Sequence, residues 1–164
     1  MGIEIIKVYV EQFPRLRFIG KRYKEDDNFG KKWGEWHRNG WFDEIEKLGA
    51  AVENDDGYIG AKRVYNGALE YWIGMLFPEN TTVPDDFEHV DICARRIATC
   101  WVRGKSPGEL SGSEAHKKCL EALSNNDHTP MENDWCFERY NCPRFIDPDE
   151  NGNIILDYCL TISG

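Results

Sequence analysis

Short apolar runs separated by turn signals predict four extended segments in the first half of the chain. Residues 3–10 alternate and are rich in β-branched side chains, and residues 15–23 continue in extended form. Aromatic-rich runs over 58–65 and 69–77 flank Asn66-Gly67, a strong short-range signal for a two-residue hairpin turn. These residues therefore predict two consecutive extended segments and, later, a β-hairpin.

Two segments carry helical periodicity instead. The first covers residues 31–48, where apolar side chains recur about every third to fifth position, at Trp33, Trp36, Trp41, Ile45 and Leu48. Asn39-Gly40 is a candidate break within this helix, and Gly49 is a candidate stop after it. The second predicted helix covers residues 108–123. Three tryptophans on the first helix exceed what one core face needs, so at least one is expected to line a cavity.

The second half of the chain repeats this order of elements. Residues 90–103 predict a long strand or a bent pair of strands, and residues 135–140 and 154–162 predict a closing hairpin. Residues 69–73 and 156–160 share the pattern Leu, acid, Tyr, any residue, branched aliphatic. Each copy lies in the last strand of its half, which favours an internal duplication.

The predicted fold is α+β, with a duplicated β-α-β-β module and pseudo-two-fold symmetry. It consists of antiparallel sheets, two main helices and a central cleft. Residues 1–164 are predicted to form a single domain whose halves cover about 1–80 and 88–164. A cleft between two such halves is the natural ligand site.

The strand over 135–140 contains a single carboxylate. Because alternate residues of a strand share a face, Cys136, Glu138 and Tyr140 point one way, while Phe137 and Arg139 point the other. Glu138 is then either a solvated position on a half-exposed sheet or a negative group in an aromatic pocket that selects a cation. Taken locally, the solvated alternative is the more common one, since charged residues are mostly exposed.

Composition and charge exclude several classes of partner. The formal net charge of -9 argues against direct binding of nucleic acid, which needs a basic face. No run of 18 apolar residues is present, so no membrane span is expected. The first ten residues carry Glu4 and Lys7 and no long apolar run, so no signal peptide is expected. The six cysteines include no CxxC pair, and a cytoplasmic protein with free thiols is predicted.

Neither a metal nor a cofactor is expected. The four histidines show no metal-binding spacing, and no phosphate-binding or nucleophile motif is present. Residues 147–153 imitate the start of a calcium loop, but its twelfth position, which should be a bidentate glutamate, is Tyr158. A hairpin turn at Asn151-Gly152 is favoured for this segment.

Several segments together resemble the GyrI-like effector-binding fold. They are the hairpin YIGAKRVYNGALEYWIGMLF, the turn VPDDF, the segment IATCWVRG, and the closing WCFERYNCPRF and IILDYCLTI. This fold is also the ligand-binding half of multidrug-responsive regulators of the AraC and MerR types, and the resemblance covers nearly the whole chain. Those regulators carry a separate helix-turn-helix region. No DNA-binding domain is expected here, because no residues are left over after the two halves.

The resemblance implies an aromatic-lined cleft for bulky, often cationic, aromatic molecules. A buried glutamate on the penultimate strand matches Glu138, and tyrosines that wall the cleft match Tyr71 and either Tyr158 or Tyr140. With the aromatic residues of the helix and strands added, the predicted ligand site comprises Glu138, Tyr140, Tyr71, Trp72, Trp101, Trp36 and Tyr158.

Three functions fit this resemblance. The first is binding of a small hydrophobic or cationic aromatic ligand. The second is hydrolysis of reactive cyclopropane-type electrophiles, with Glu138 as general base or as stabiliser of positive charge and Tyr71 or Tyr140 as proton donor. The third is inhibition of a partner by protein–protein contact, and a protein partner or a homodimer belongs to the same set of expectations. Binding and hydrolysis need the same pocket, so the residues do not separate them.

Overall fold

A computed structural model describes residues 2–24, 27–48, 57–110, 112–140 and 144–163. Within them the chain forms eight strands and four helical segments, as an α+β fold. In chain order these are β1 Glu4–Phe13, β2 Leu16–Lys24, α1 Phe29–Asn39, α2 Trp41–Glu46, β3 Tyr58–Tyr65, β4 Ala68–Pro78, β5 Glu88–Ile92, β6 Arg95–Gly104, α3 Pro107–Leu110, α4 Ser113–Asn125, β7 Cys136–Tyr140 and β8 Ile154–Ile162.

The strands form one antiparallel sheet in the order β1-β6-β8-β7-β3-β4-β2-β5. Read from either end, this order shows the same arrangement, so a pseudo-two-fold axis passes between β7 and β3. Where β3 meets β7, Ala61 pairs with Phe137. The pair Gly60–Glu138 lies on one side of it and the pair Lys62–Cys136 on the other. The duplicated α+β fold predicted from the sequence is confirmed, with both halves in one continuous sheet. The assignment of residues 1–164 to a single domain stays a prediction.

Each half places its first strand on the other half. β1 pairs with β6, and β5 pairs with β2, although β1 and β2 are neighbours in the chain. The predicted strand or bent pair over 90–103 is therefore two strands with different partners. This exchange ties the two halves together at both edges of the sheet.

The predicted helix over 31–48 consists of two pieces. α1 begins after Asn28, whose side chain accepts a hydrogen bond from the backbone N–H of Lys31. It ends at Gly40, whose φ of 67° is the left-handed conformation that glycine adopts without strain. The break at Asn39-Gly40 is therefore present, whereas the stop at Gly49 lies outside the described residues. The second predicted helix is also divided, into α3 and α4.

The helices cover one face of the sheet, and α1 with α2 covers the first half through Trp36, Phe42 and Ile45. α4 covers the second half through Ala115, Cys119 and Leu123. The opposite face, called the back face below, buries an apolar cluster that includes Phe13, Phe18, Trp72, Trp135 and Phe137. Within the described residues, no helix is long and apolar enough to cross a bilayer.

The sequence echo corresponds to a repeated ion pair on the back face. Glu70 of β4 pairs with Arg63 of β3 at 3.2 Å, and Asp157 of β8 pairs with Arg139 of β7 at 3.1 Å. Strand alternation then turns the tyrosine that follows each acid toward the helices. The pattern Leu, acid, Tyr thus specifies an ion pair on one face and a helix-facing ring on the other.

Candidate functional site

A cavity of about 830 Å³ opens on the helical face of the sheet, where the two halves meet. Its volume lies in the range of ligand pockets for drug-sized molecules. Six aromatic side chains from both halves line it, namely Phe29, Trp33, Tyr58, Tyr71, Tyr140 and Phe145. The described polar groups that line it are His37, Glu46, Lys62 and Glu138, together with the tyrosine hydroxyls.

Glu138 lies at the base of this cavity. The residue is only 8% exposed. Its Oε1 accepts a hydrogen bond of 2.8 Å from the hydroxyl of Tyr140 and one of 3.3 Å from the hydroxyl of Tyr71. Trp33 Nε1 donates in turn to the hydroxyl of Tyr71 at 2.9 Å, which orients that hydroxyl. The carboxylate is therefore held by neutral donors.

Gly60 leaves the room that the hydrogen bond between Tyr71 and Glu138 needs. Tyr71 is on β4 and Glu138 on β7, with β3 between them, and Gly60 of β3 pairs directly with Glu138. A Cβ atom on Gly60 would lie 2.4 Å from the Tyr71 hydroxyl and 3.0 Å from Glu138 Oε1. Because Gly60 has no side chain, Tyr71 can reach across β3 to Glu138. Close approach of another group is a frequent reason for glycine within a strand.

Ring-to-ring contacts fix the orientation of the cavity walls. Phe29 stacks on Tyr71 with centroids 4.1 Å apart. Trp33 meets Tyr140 edge to face at 5.0 Å, and Tyr140 meets Phe145 edge to face at 4.7 Å. Such arrangements are the preferred geometries of aromatic pairs, so the rings are positioned before any ligand arrives.

Burial raises the pKa of Glu138 above its ordinary value of 4.5, because the charged form is desolvated. The hydrogen bond from Tyr140, the positive charge of Lys62 and the hydrogen bond from Tyr71 oppose this shift and lower the pKa. Burial also raises the pKa of Tyr71, and the charge of Glu138 raises it further. At neutral pH Tyr71 is therefore a neutral hydrogen-bond donor.

The raised pKa of Glu138 predicts a specific pH dependence of stability. Between 4.5 and the folded-state pKa, the folded protein holds more protons than the unfolded chain, so stability falls as pH rises through this window. We expect the free energy of unfolding of the wild type, minus that of Glu138→Gln, to decrease with pH and then level off. Urea unfolding of both proteins across this range measures the difference. A difference that grows with pH would show that the carboxylate is stabilised as an anion instead.

The structure brings three of the predicted ligand residues into the cavity, namely Glu138, Tyr140 and Tyr71. Tyr158 lies behind them on β8, fully buried, with its hydroxyl 2.8 Å from His116 Nδ1. It faces the same side of the sheet as Glu138, its direct partner across β7 and β8.

The three tryptophans of the predicted site lie elsewhere. Trp36 faces the sheet, is fully buried and donates to the hydroxyl of Tyr23. Trp72 is on the back face, because Tyr71 before it faces the cavity, and it donates to Glu70. Trp101 also lies on the back face, between the cationic groups of Lys7 and Arg144.

The site predicted from the sequence omits most of the residues that line the cavity, among them Phe29, Trp33, Tyr58, Lys62 and Phe145. Trp33 belongs to the helical stripe that predicts a cavity-lining tryptophan, but the predicted site contains Trp36, one turn later. Lys62 shares a strand face with Tyr58 and Gly60, and this alternation was the signal that could have found it. Phe29 and Phe145 carry no such signal, because both lie at or beyond the ends of periodic segments.

The segment that imitates a calcium loop forms a turn. Oδ1 of Asp149 accepts hydrogen bonds from the backbone N–H groups of Asn151 and Asn153, and Gly152 has a φ of 80°. Across the described ranges, no cluster of three His, Cys, Asp or Glu side chains is arranged to hold a metal ion.

Solved structures share this fold, although neither a protein-family model nor a curated protein matches the sequence. The structure of SAV2435 bound to tetraphenylphosphonium matches with a TM-score of 0.71 and 14% identity, over 97% of this chain and 95% of that one. The C-terminal domain of EcmrR matches with a TM-score of 0.61 and 10% identity, over 96% and 97%. A hydrolase from Listeria innocua matches with a TM-score of 0.55 and 10% identity, over 98% and 93%. At these identities the likeness concerns the fold alone, and it agrees with the α+β fold predicted from the sequence.

Proposed function

We propose that this protein binds bulky aromatic molecules, cationic ones above all, and that Glu138 is their charge partner. One observation carries the proposal: a buried carboxylate, hydrogen-bonded by tyrosine hydroxyls, lies at the base of an aromatic cavity. Among the described residues, no cationic group lies within 4.0 Å of this carboxylate. A cation that enters the cavity would provide the opposite charge that Glu138 lacks.

The walls and the charge would contribute in different ways. Burial of apolar ligand surface against the rings is favourable by roughly 25 cal/mol per Å² before the costs of association are subtracted. A cation over an aromatic face adds about 0.5 to 2 kcal/mol, with the larger values in desolvated sites. The carboxylate adds selectivity, because its attraction for a cation is stronger in a water-poor cavity than in bulk water. SAV2435, which shares the fold, is bound to such a cation, and this likeness supports the proposal.

Two ions of nearly identical shape test the role of the charge. Tetraphenylphosphonium is a cation, and tetraphenylborate is its anionic counterpart with the same four rings. We expect the wild type to bind the cation more tightly, and Glu138→Gln to lose about 10- to 100-fold in affinity for the cation, which is about 1.4 to 2.7 kcal/mol. Isothermal titration calorimetry with both ions measures this preference. In buffers of different ionisation enthalpy, cation binding should also release a proton from the wild type, because it favours the ionised carboxylate.

The comparison between the two ions separates charge from shape. Glu138→Gln keeps the volume of the side chain, so binding of tetraphenylborate should be unchanged or improved. Equal affinities of wild type and Glu138→Gln for the phosphonium would contradict charge pairing. A wild type that binds neither ion would contradict the proposed ligand class.

A second candidate function is hydrolysis of a strained electrophile. The observation that favours it is the raised pKa of Glu138 beside the hydroxyl of Tyr140, since a carboxylate whose pKa is brought closer to neutral is a better general base. Turnover of a cyclopropane-bearing alkylating agent by the wild type, with loss of turnover in Glu138→Gln, would establish this activity. Binding without turnover would leave ligand binding as the function.

We propose a cytoplasmic location for this ligand-binding protein. The five cysteines among the described residues are free thiols, which suits a reducing cytoplasm. The predicted homodimer or protein partner stays a prediction.

A further inference from the structure

A lysine lies in the same cavity as Glu138. Lys62 is two residues after Gly60 on β3, so it faces the cavity, and its side chain is half-buried. Among the described residues, no carboxylate lies within 4.0 Å of its ammonium group. Its Nζ instead lies 5.5 Å from the centre of the Tyr158 ring. Within the described residues, the cavity therefore contains a positive group without a direct ion pair as well as the buried carboxylate of Glu138.

The pseudo-two-fold axis relates these two charges. Tyr71 of β4 pairs with Lys62 of β3, and Tyr158 of β8 pairs with Glu138 of β7. The operation that takes Tyr71 to Tyr158 therefore takes Lys62 to Glu138. In both halves the tyrosine hydroxyl contacts a helix residue, which is Trp33 in the first half and His116 in the second. The duplication thus presents an acid and a base at equivalent positions of one site.

A ligand with a single positive charge would meet both groups. Glu138 would attract it, and Lys62 would repel it. Burial raises the pKa of Glu138, and the charge of Lys62 opposes that rise. Burial also lowers the pKa of His116, and the charge of Lys62 lowers it further. Lys62 and Glu138 are diagonal neighbours across an antiparallel pair, a geometry that separates the two positions by about 7 to 8 Å. One molecule with two opposite charges can span this distance.

We propose that the preferred ligands are zwitterionic aromatic molecules, with a cationic ring system near Glu138 and an anionic group near Lys62. This inference rests on the proposed function, since it uses the same cavity and the same carboxylate. It narrows the ligand class from aromatic cations to aromatic molecules that carry both charges. A carboxylate is the simplest anionic group that the ammonium of Lys62 would recognise.

Rhodamine B and its ethyl ester form a matched pair of probes. They share one cationic ring system, and only the first carries a free carboxylate, so it is zwitterionic at neutral pH. We expect the wild type to bind rhodamine B more tightly than the ester, and Lys62→Met to shift this ratio by about tenfold in favour of the ester. Fluorescence polarisation measures both affinities for each protein. Because the two dyes are compared on one protein, any change in the protonation of Glu138 affects both alike.

Two further variants serve as controls for the comparison of the two dyes. Lys117→Met removes an exposed lysine of α4, so it makes the same change in net charge without touching the cavity, and its ratio should equal that of the wild type. Lys62→Arg keeps the charge and should restore the preference for rhodamine B. Equal ratios for the wild type and Lys62→Met would overturn the inference.

The same measurements distinguish failure of the proposed function from failure of this inference. If Glu138→Gln binds both dyes as tightly as the wild type does, charge pairing at Glu138 is wrong whatever Lys62 does. If the Glu138 effect is present and the Lys62 effect is absent, the cavity selects simple cations. Absence of binding of either dye to the wild type would overturn both proposals.

Discussion

Gly60→Ala is expected to weaken tetraphenylphosphonium binding by about 100-fold and to destabilise the fold by about 1 to 3 kcal/mol. The new methyl group would lie 2.4 Å from the hydroxyl of Tyr71, so Tyr71 has to leave its place over β3. Its hydrogen bond to Glu138 is then lost, and the displaced ring enters the cavity. Isothermal titration calorimetry and urea unfolding measure the two effects.

Gly108 provides the matched control for this substitution. It lines the same cavity, but a Cβ atom there would meet nothing within 4 Å. Gly108→Ala should therefore retain both stability and binding, and alanine is the better helix former in α3. A loss of binding in both variants would mean that the cavity tolerates no added volume anywhere, and the specific role of Gly60 would be wrong.

Asp157→Asn is expected to destabilise the protein by about 3 to 5 kcal/mol. Asp157 is fully buried on the back face and accepts hydrogen bonds from Arg139 at 3.1 Å and from Arg144 Nε at 2.9 Å. The side chain of Arg139 is itself only 4% exposed and also pairs with Glu11 at 2.9 Å. Removal of the carboxylate takes a fully buried negative charge from between the guanidinium groups of Arg139 and Arg144. Chemical denaturation at neutral pH, with the slope against denaturant checked for constancy, gives the difference.

Glu4→Gln is the corresponding change at the surface. Glu4 pairs with Arg103, but its side chain is 59% exposed, so water already screens the interaction. We expect an effect below about 1 kcal/mol. Similar losses for Asp157→Asn and Glu4→Gln would show that burial does not decide the strength of these ion pairs in this fold.

Two buried carboxylates, Asp157 and Glu138, also separate stability from function. Asp157 and Glu138 are on adjacent strands but on opposite faces of the sheet, because β7 and β8 alternate. Asp157→Asn should therefore lower stability at any ligand concentration, whereas Glu138→Gln should mainly change what the cavity binds. In each copy of the Leu, acid, Tyr pattern, the acid of a back-face ion pair is followed directly by a tyrosine on the helical face.

Local patterns in the sequence determined the elements and their faces. The hairpin at Asn66-Gly67, the break at Asn39-Gly40 and the alternation of residues 135–140 depend on interactions between neighbours in the chain, and the structure contains all three. Such patterns also predict that Glu138 and Tyr140 share a face of their strand. They do not predict which side chains pack over that face, because those side chains come from residues far away in the chain.

Only the tertiary structure decided which side chains meet at the cavity. Tyr71 reaches Glu138 because β3 lies between their strands and carries no side chain at Gly60. Lys62 becomes the counterpart of Glu138 only through the pairing of β3 with β7, which brings together residues 76 positions apart. Trp33 rather than Trp36 lines the cavity because α1 rests on the sheet through Trp36. Periodicity defines a face for each element, and the packing of elements from distant parts of the chain decides which of those faces encloses a ligand.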